Sequence, residues 1–415
     1  MHLHLTAYEI IWIIIAPAVV LSWYYLIRGW KTYIPKHYLM PDNPHPRIIF
    51  LITARKITGL LNGSVQSIIA SCYKCGFTNY EIKVLADKDG ELEGAEHLIV
   101  PEDYVCHSKF KARALNYALE FTPNSPDVWT LHLDEDAQIT AQTVPSILKY
   151  IKKNGNPVAD GPTVFPYDGN LLTFFVEAQR CWTYFWVKRQ LETSGVYWMN
   201  GSNMLIRTDV EHKIGWDFEN VKYSEDTRFA YEVSKRCGKV FGWHGGLTLE
   251  KPPKTAGAAI KQRKRWYWGG ILMLKHIRFN DLWYRLYSYT AWFLGFILTM
   301  FIPIGALNHI FPKELIPTTV GFLSLGGVSL AGVLWLARYQ LGLYWQLKYT
   351  PSSWIKKIGY HAGLFVLSPV IEFICTVPTI LSFINPPKVF EVTDKSGGGD
   401  ASVEKENKQL TGVGS

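Results

Sequence analysis

Cysteine is scarce in this chain, with six among 415 residues. Only Cys72 and Cys75 stand in CxxC spacing, and no second pair completes a four-ligand set, which excludes a structural zinc finger. Scattered single thiols suit a reducing cytosol better than a disulfide scaffold. Ahead of the first apolar run there is no Lys or Arg, and no small-residue cleavage site follows it, so that run is not a signal peptide. No internal repeat is visible. Charged residues make up only 19% of the chain, and their balance is basic, at +8. Outside the apolar flanks no basic stripe is interleaved with aromatics, which argues against nucleic acid. The surplus suits a protein lying against an anionic inner leaflet.

Hydrophobic residues are plentiful, at 48%, and unevenly spread: the first thirty residues and the last third are very apolar. "EIIWIIIAPAVVLSWYYLI" (9–27) is long enough to span a bilayer. Arg28, Lys31 and Lys36 follow it, and the positive-inside rule then puts the next domain in the cytoplasm. Segments 286–307 and 315–337 read as a spanning hairpin, with Arg338 and Lys348 on the return side. The last apolar segment, 359–384, contains Pro369, Pro378 and Glu372, which predict a broken or re-entrant element.

The middle of the chain alternates strand and helix. "RIIFLITA" (47–54) is a short run suited to a strand buried on both faces. A helical stretch around "SVQSIIASCYKC" follows, then the strand "YEIKVLADKDG" ending in Asp87 and Asp89. Next come an amphipathic helix, "KFKARALNYALEF" (109–121), and the strand "DVWTLHLD" (127–134). This order predicts an α/β fold, a parallel doubly wound sheet binding its ligand at the carboxyl ends of the strands. Asp87 and Asp134 fall at that edge.

The acids of "LHLDEDAQIT" (131–140) therefore raise a question: solvated turn or metal site. Positions i and i+2 of a strand share a side, so Asp134 and Asp136 are expected to face one ligand, with Glu135 turned away. Two such carboxylates suit a hard divalent cation that also holds a diphosphate. Further along, "YSEDTRFAYE" places Glu225 and Asp226 at a helix start with Ser224 as N-cap. "YWMNGSNMLIR" (197–207) offers a Gly201–Asn203 turn leading into a strand. "IKQRKRWYWGG" (260–270) supplies Gln262, Arg265 and Trp266 on a helix that reads as interfacial.

Taken in order, "KFKARALNYAL", "LHLDEDAQIT", "EDTRFAYE" and "QRKRWYWGGILM" resemble the inverting, membrane-bound glycosyltransferases of the family that holds the cellulose, hyaluronan and chitin synthases. Within it the texture is most similar to the egghead-type β-1,4-mannosyltransferases. Those carry Asp-Glu-Glu where this chain has Asp134-Glu135-Asp136, a departure that keeps the carboxylates and bears on substrate more than on reaction. "VFEVTDK" adds the Phe-x-Val-Thr-x-Lys form of a gating loop, with Thr393 and Lys395.

The resemblance implies an N-terminal transmembrane helix (1–30), a cytoplasmic GT-A-like domain (45–250) and interfacial helices (251–282). Transmembrane or re-entrant segments (283–385), the gating-type loop (386–395) and a disordered tail (396–415) follow. It implies transfer of a hexose from GDP-mannose or a UDP-sugar to a lipid-linked or glycan hydroxyl. Asp136, steadied by Asp134, would hold Mn²⁺ or Mg²⁺, with Lys111 and Arg265 as further cations at the diphosphate. Asp226 is the implied general base with Glu225 beside it. Thr53 and Asp87 would take the ribose and base, and Gln262, Thr393 and Lys395 the donor. Trp266, Gly201 and Asn203 would meet the acceptor. A processive polysaccharide synthase competes within the enzyme class, although the membrane segments are few for an extrusion channel. A non-catalytic membrane scaffold would require all these motifs to coincide by accident.

Overall fold

The computed structural model describes residues 46–387, apart from 154, 194–198, 220, 280–281, 284, 291 and 295–335, together with positions 17, 20, 23, 24 and 27. The expected spans at 9–27, 286–307 and 315–337 lie largely outside the described residues. The loop with Thr393 and Lys395 and the tail lie wholly outside them.

Among the described residues ten strands form two sheets. The larger has seven strands in the order β3-β2-β1-β4-β8-β6-β9. In chain order they are β1 (Arg47–Thr53), β2 (Tyr80–Ala86), β3 (Glu96–Ile99), β4 (Val128–Asp134), β6 (Val158–Asp160), β8 (Met204–Arg207) and β9 (Phe241–Trp243). The smaller sheet joins β5 (Gln138–Ile139), β10 (Thr248–Leu249) and β7 (Thr163–Val164). β1 lies between β2 and β4 and is buried over its five inner residues. Its alternate side chains enter different cores. Phe50 and Ile52 meet Leu61, Val65 and Ile68 of the helix Leu60–Cys75, while Leu51 joins Leu115, Phe229 and Val233 on the opposite face. Each such side chain contributes about 1.5–3 kcal/mol by leaving water. The layering is thus helix, sheet, helix, as the alternation predicts.

The all-parallel expectation needs one correction. β8 runs antiparallel to both β4 and β6. A turn at residues 200–203, with Gly201 at φ 73° and Asn203 at φ 59°, reverses the chain at the carboxyl edge so that β8 runs back through the sheet. That reversal puts the turn beside the end of β4.

The broken or re-entrant element expected over 359–384 is a continuous helix in this structure. Trp354–Ile384 is one continuous helix of 31 residues with Pro369 and Pro378 inside it, about 46 Å long at the usual rise. Proline at 369 removes the amide that would bond the Phe365 carbonyl; the Ser368 hydroxyl donates to that carbonyl instead, at 2.8 Å. The helix runs alongside the helix Ala256–Met273. Near its start, Tyr360 packs on Phe174 and Phe175; near its end, Phe383 packs on Tyr267 and Trp268. Its polarity is reversed from that of a water-facing helix. Glu372, Thr376, Thr379 and Ser382 face the protein, while Ile355, Ile358, Phe365, Val366 and Val370 are exposed. Among the described residues it is the one helix long and apolar enough to cross a membrane. Arg338 is buried.

Candidate active site

β4 ends at Asp134, and the chain turns at once: the Ala137 amide donates to the Asp134 carbonyl at 3.0 Å. Asp134 and Asp136 are therefore spaced by a turn and not by strand pleating, which corrects the basis of the sequence argument. Asp136 is buried, and its Oδ2 accepts the Lys251 amide at 2.8 Å. Asp134 has a side chain 37% exposed and pairs with Lys111, whose Nζ lies 2.6 Å from Oδ1.

Lys111 opens the helix Lys111–Ala118, behind Phe110 at φ 56°. Its ammonium also donates to the Gly201 carbonyl at 2.7 Å. Burial works against its charge, but Asp134, Glu225 and Asp226 outweigh burial and raise its proton affinity. It is held as a cation at the acidic edge.

The 200–203 turn links the parts. The Ser202 hydroxyl accepts the Asp134 amide at 3.2 Å, and Asn200 Nδ2 donates to buried Asp160 at 2.7 Å. A Cβ on Gly201 would stand 3.0 Å from Asp226 Oδ2. Asn203, expected at the acceptor, is a cross-brace instead. It is fully buried, and its amide donates to the carbonyls of Pro162 and Gly246 at 2.9 and 2.8 Å. His244 completes the brace: its Nδ1 accepts the Gly246 amide, so the Nε2–H is the donor to the Asn203 carbonyl at 3.0 Å. Asn200 and Ser202 lay inside the stretch singled out from sequence, but nothing local marked them as anchors.

Asp226 occupies the first turn of the helix Glu225–Cys237. Its Oδ1 accepts the Thr227 amide at 2.6 Å, yet its carboxyl is pushed up to about 7, by burial first and by neighbouring Glu225 second. Ser224, expected as a side-chain cap, makes no capping bond and stands in the left-handed region at φ 58°. Close approach explains this: on the helix Ala256–Met273, a Cβ at Gly269 would fall 2.3 Å from Ser224 Oγ. Glycine at that position lets the two helices meet. Arg265, one turn earlier, then senses Glu225, Asp134, Tyr223 and Asp226, although burial works hardest on it and lowers its proton affinity.

Thr53 pairs in register with Asp134 across β1 and β4, and its buried hydroxyl has no partner among the described residues. Gln262 is buried with Oε1 in the same condition. Such orphaned polar atoms suit ligand contacts. Asp87 follows β2, 3.8 Å from Arg113, with its side chain about half exposed. Trp266 is half-buried, with the Arg180 guanidinium 4.8 Å from its ring centroid.

This arrangement can deprotonate a hydroxyl at Asp226 and hold an anionic group at Lys111 and Arg265, within one sheet edge. The chain is 25% identical to the β-1,4-mannosyltransferase bre-3 of Caenorhabditis briggsae over 293 residues, 66% of this chain and 64% of that protein. It is 24% identical to the β-1,4-mannosyltransferase egh of Drosophila melanogaster over 365 residues, 84% of this chain and 75% of that protein. The chain thus spans under two thirds of the length of the first relative. Its fold is similar to that of the mannosyltransferase PcManGT from Pyrobaculum calidifontis, solved with GDP-Man and Mn²⁺. That likeness has a TM-score of 0.50 at 12% identity and covers 91% of this chain and 98% of the other. The family described as glycosyl transferase family group 2 matches residues 129–383, from β4 through the long helix, and the chain belongs to that family.

Proposed function

We propose that this protein is a membrane-bound, inverting hexosyltransferase that moves mannose from GDP-mannose to an acceptor hydroxyl. The observation that carries the reading is the juxtaposition of Asp226, against Gly201, with Lys111, which bridges Gly201 and Asp134. The donor sugar is inferred from the mannosyltransferase relatives.

In the proposed step Asp226 accepts the proton of the acceptor hydroxyl as its oxygen attacks the anomeric carbon from the face opposite the diphosphate. The new C–O bond forms as the old one breaks, and the electron pair leaves with GDP. An α-linked donor becomes a β-linked product. Lys111 and Arg265 stand where the negative charge grows, and fixed cations in a buried site stabilise it without reorganising. Asp134 and Asp136 fit a hard divalent cation, because one or two carboxylates plus donor phosphate oxygens make the usual magnesium-type set. Bound there, Mn²⁺ or Mg²⁺ would neutralise the leaving diphosphate. Membrane attachment is supported by the long helix, whose exposed face is apolar and whose protein-facing side carries Glu372, Thr376 and Thr379. The helix ends at the site, where the Tyr223 hydroxyl donates to the Pro387 carbonyl at 3.2 Å. Pro387 therefore lies beside the start of the acidic helix. Gln262 and Thr53 remain proposed donor contacts, and Asp87 a base contact.

The test is nucleotide release by detergent-purified protein from GDP-mannose, UDP-glucose, UDP-GlcNAc and UDP-glucuronate, with Mn²⁺, Mg²⁺ or EDTA and added membrane lipid. Metal-dependent GDP release supports the proposal. Release from a UDP-sugar alone would overturn the donor, and release from none would overturn the transferase reading. Gly201→Ala gives a sharper check of the geometry. A left-handed alanine costs roughly 1–2 kcal/mol, and its methyl would press on Asp226 Oδ2. Turnover should fall at least tenfold while thermal unfolding shifts by only a few degrees.

A further inference from the structure

Arg180 lies outside every motif discussed so far. It projects from the helix Leu171–Thr193, and its guanidinium carbon stands 4.2 Å from the Phe165 ring centroid and 4.8 Å from that of Trp266. A planar cation is thus in contact with two aromatic rings, an arrangement that lysine cannot reproduce. Its edge is tied down as well. Nη1 donates to Glu177 Oε2 at 3.2 Å, and Nη2 reaches the Tyr184 hydroxyl at 3.5 Å and stands 4.0 Å from Glu250 Oε2. Glu177, fully buried, gives its other oxygen to Arg263 at 3.2 Å, and Arg263 in turn lies 5.7 Å from the same Trp266 ring. One carboxylate therefore holds two arginines around one indole. Glu250 also precedes Lys251, whose amide holds Asp136.

We infer that Arg180 is a positioning residue for the acceptor: held by Glu177 and Glu250, it backs the Trp266 ring and fixes the pose in which that ring receives a sugar. The inference rests on the proposed acceptor role of Trp266. With the guanidinium against the indole, the sugar face of a neutral glycoside has one defined plate to stack on. Because Glu250 and Lys251 are consecutive, the plate is also tied to the acid at the donor side.

The probe is p-nitrophenyl β-glucoside as acceptor with GDP-mannose as donor. In Arg180→Lys, which keeps the charge for Glu177 and Glu250 but loses the plane, KM for the glucoside should rise about tenfold. KM for GDP-mannose should stay within twofold. Trp266→Leu should raise the glucoside KM similarly, and the double variant should be no worse than Trp266→Leu alone, since both act through one contact. A glucoside KM unchanged in Arg180→Lys, additive losses in the double variant, or equal rises for both substrates would each overturn the inference. Saturation-transfer NMR of the glucoside on Asp226→Asn protein reads the same contact without turnover. Sugar-ring signals that weaken in both Arg180→Lys and Trp266→Leu support the inference; signals lost only in Trp266→Leu overturn it. If those signals are present but wild-type protein transfers mannose to no glycoside, the transferase reading fails while the platform stands.

Discussion

Asp226→Asn is expected to stop transfer and, at alkaline pH, to make the protein more stable. Losing a general base costs typically 10²–10⁴-fold in rate. The stability gain follows from the raised proton affinity of Asp226, about 7 against an ordinary 3.8, caused by burial and then by Glu225. Ionising a group whose affinity has risen on folding weakens the fold. Asp226 therefore contributes its full stability below the unfolded carboxyl's value, and that contribution is lost as pH rises through about 7. Asparagine cannot ionise, so at pH near 8 the variant should exceed wild type by on the order of 1–3 kcal/mol, and the two should converge only at about pH 3.5, below the unfolded carboxyl's value. Thermal unfolding at both pH values decides it: a gain of equal size at each would show that charge is not the cause. The same ionisation sets an acidic limb near pH 7 in the turnover of the wild type. Glu225→Gln removes the neighbouring charge and should move that limb toward lower pH.

Glu211→Ala is expected to lower stability by about 1–3 kcal/mol, because removing a buried carboxylate leaves the buried polar groups around it, the Trp216 indole N–H first, without their partner. Glu211 is 2% exposed, and its Oε1 lies 2.9 Å from His132 Nε2 and accepts the Trp216 indole N–H at 2.8 Å. Burial acts to raise the Glu211 carboxyl, but His132 and the bonds from His132 and Trp216 prevail and lower it. A lowered carboxyl contributes stability above its unfolded value of 4.5, and that contribution disappears as pH falls through the lower folded one. Denaturant unfolding should therefore show the full deficit at neutral pH and a narrowing gap only in strong acid. A loss under 1 kcal/mol at pH 7 would mean the pair does not hold the fold. Trp216 stacks on Phe229 of the acidic helix at 4.2 Å, so the variant should lose turnover at lower temperature than it unfolds.

The strands that carry Asp87 and Asp134 were legible because continuous apolar runs followed by acids and glycine have few other readings. The acidic helix and Gln-x-x-Arg-Trp were legible as ordered motifs. Direction was not: β8 runs back because two residues adopt positive φ, and its pairing with β4 joins residues far apart in the chain. Asn203 and Ser224 misled for the same reason, since their partners, Gly246 and Gly269, come from remote segments. The prolines of the long helix suggested a break, and at Pro369 a neighbouring serine hydroxyl takes up the carbonyl that the missing amide would have bonded. Arg180 carries no local signal at all; its meaning lies in Phe165, Glu250 and Trp266.

The four-residue turn at 200–203 also limits how such a protein can vary in length. Asn200 bonds the end of β6, Gly201 meets Lys111 and Asp226, Ser202 bonds the start of the β4 turn, and Asn203 bonds two further loops. One inserted residue would detach some of these anchors and turn the inward side chains of β8 to the opposite face. Loops at the far edge of the sheet touch none of these groups and are free to lengthen. Insertions introduced at random should therefore be recovered from active clones on that far edge and be missing from this turn.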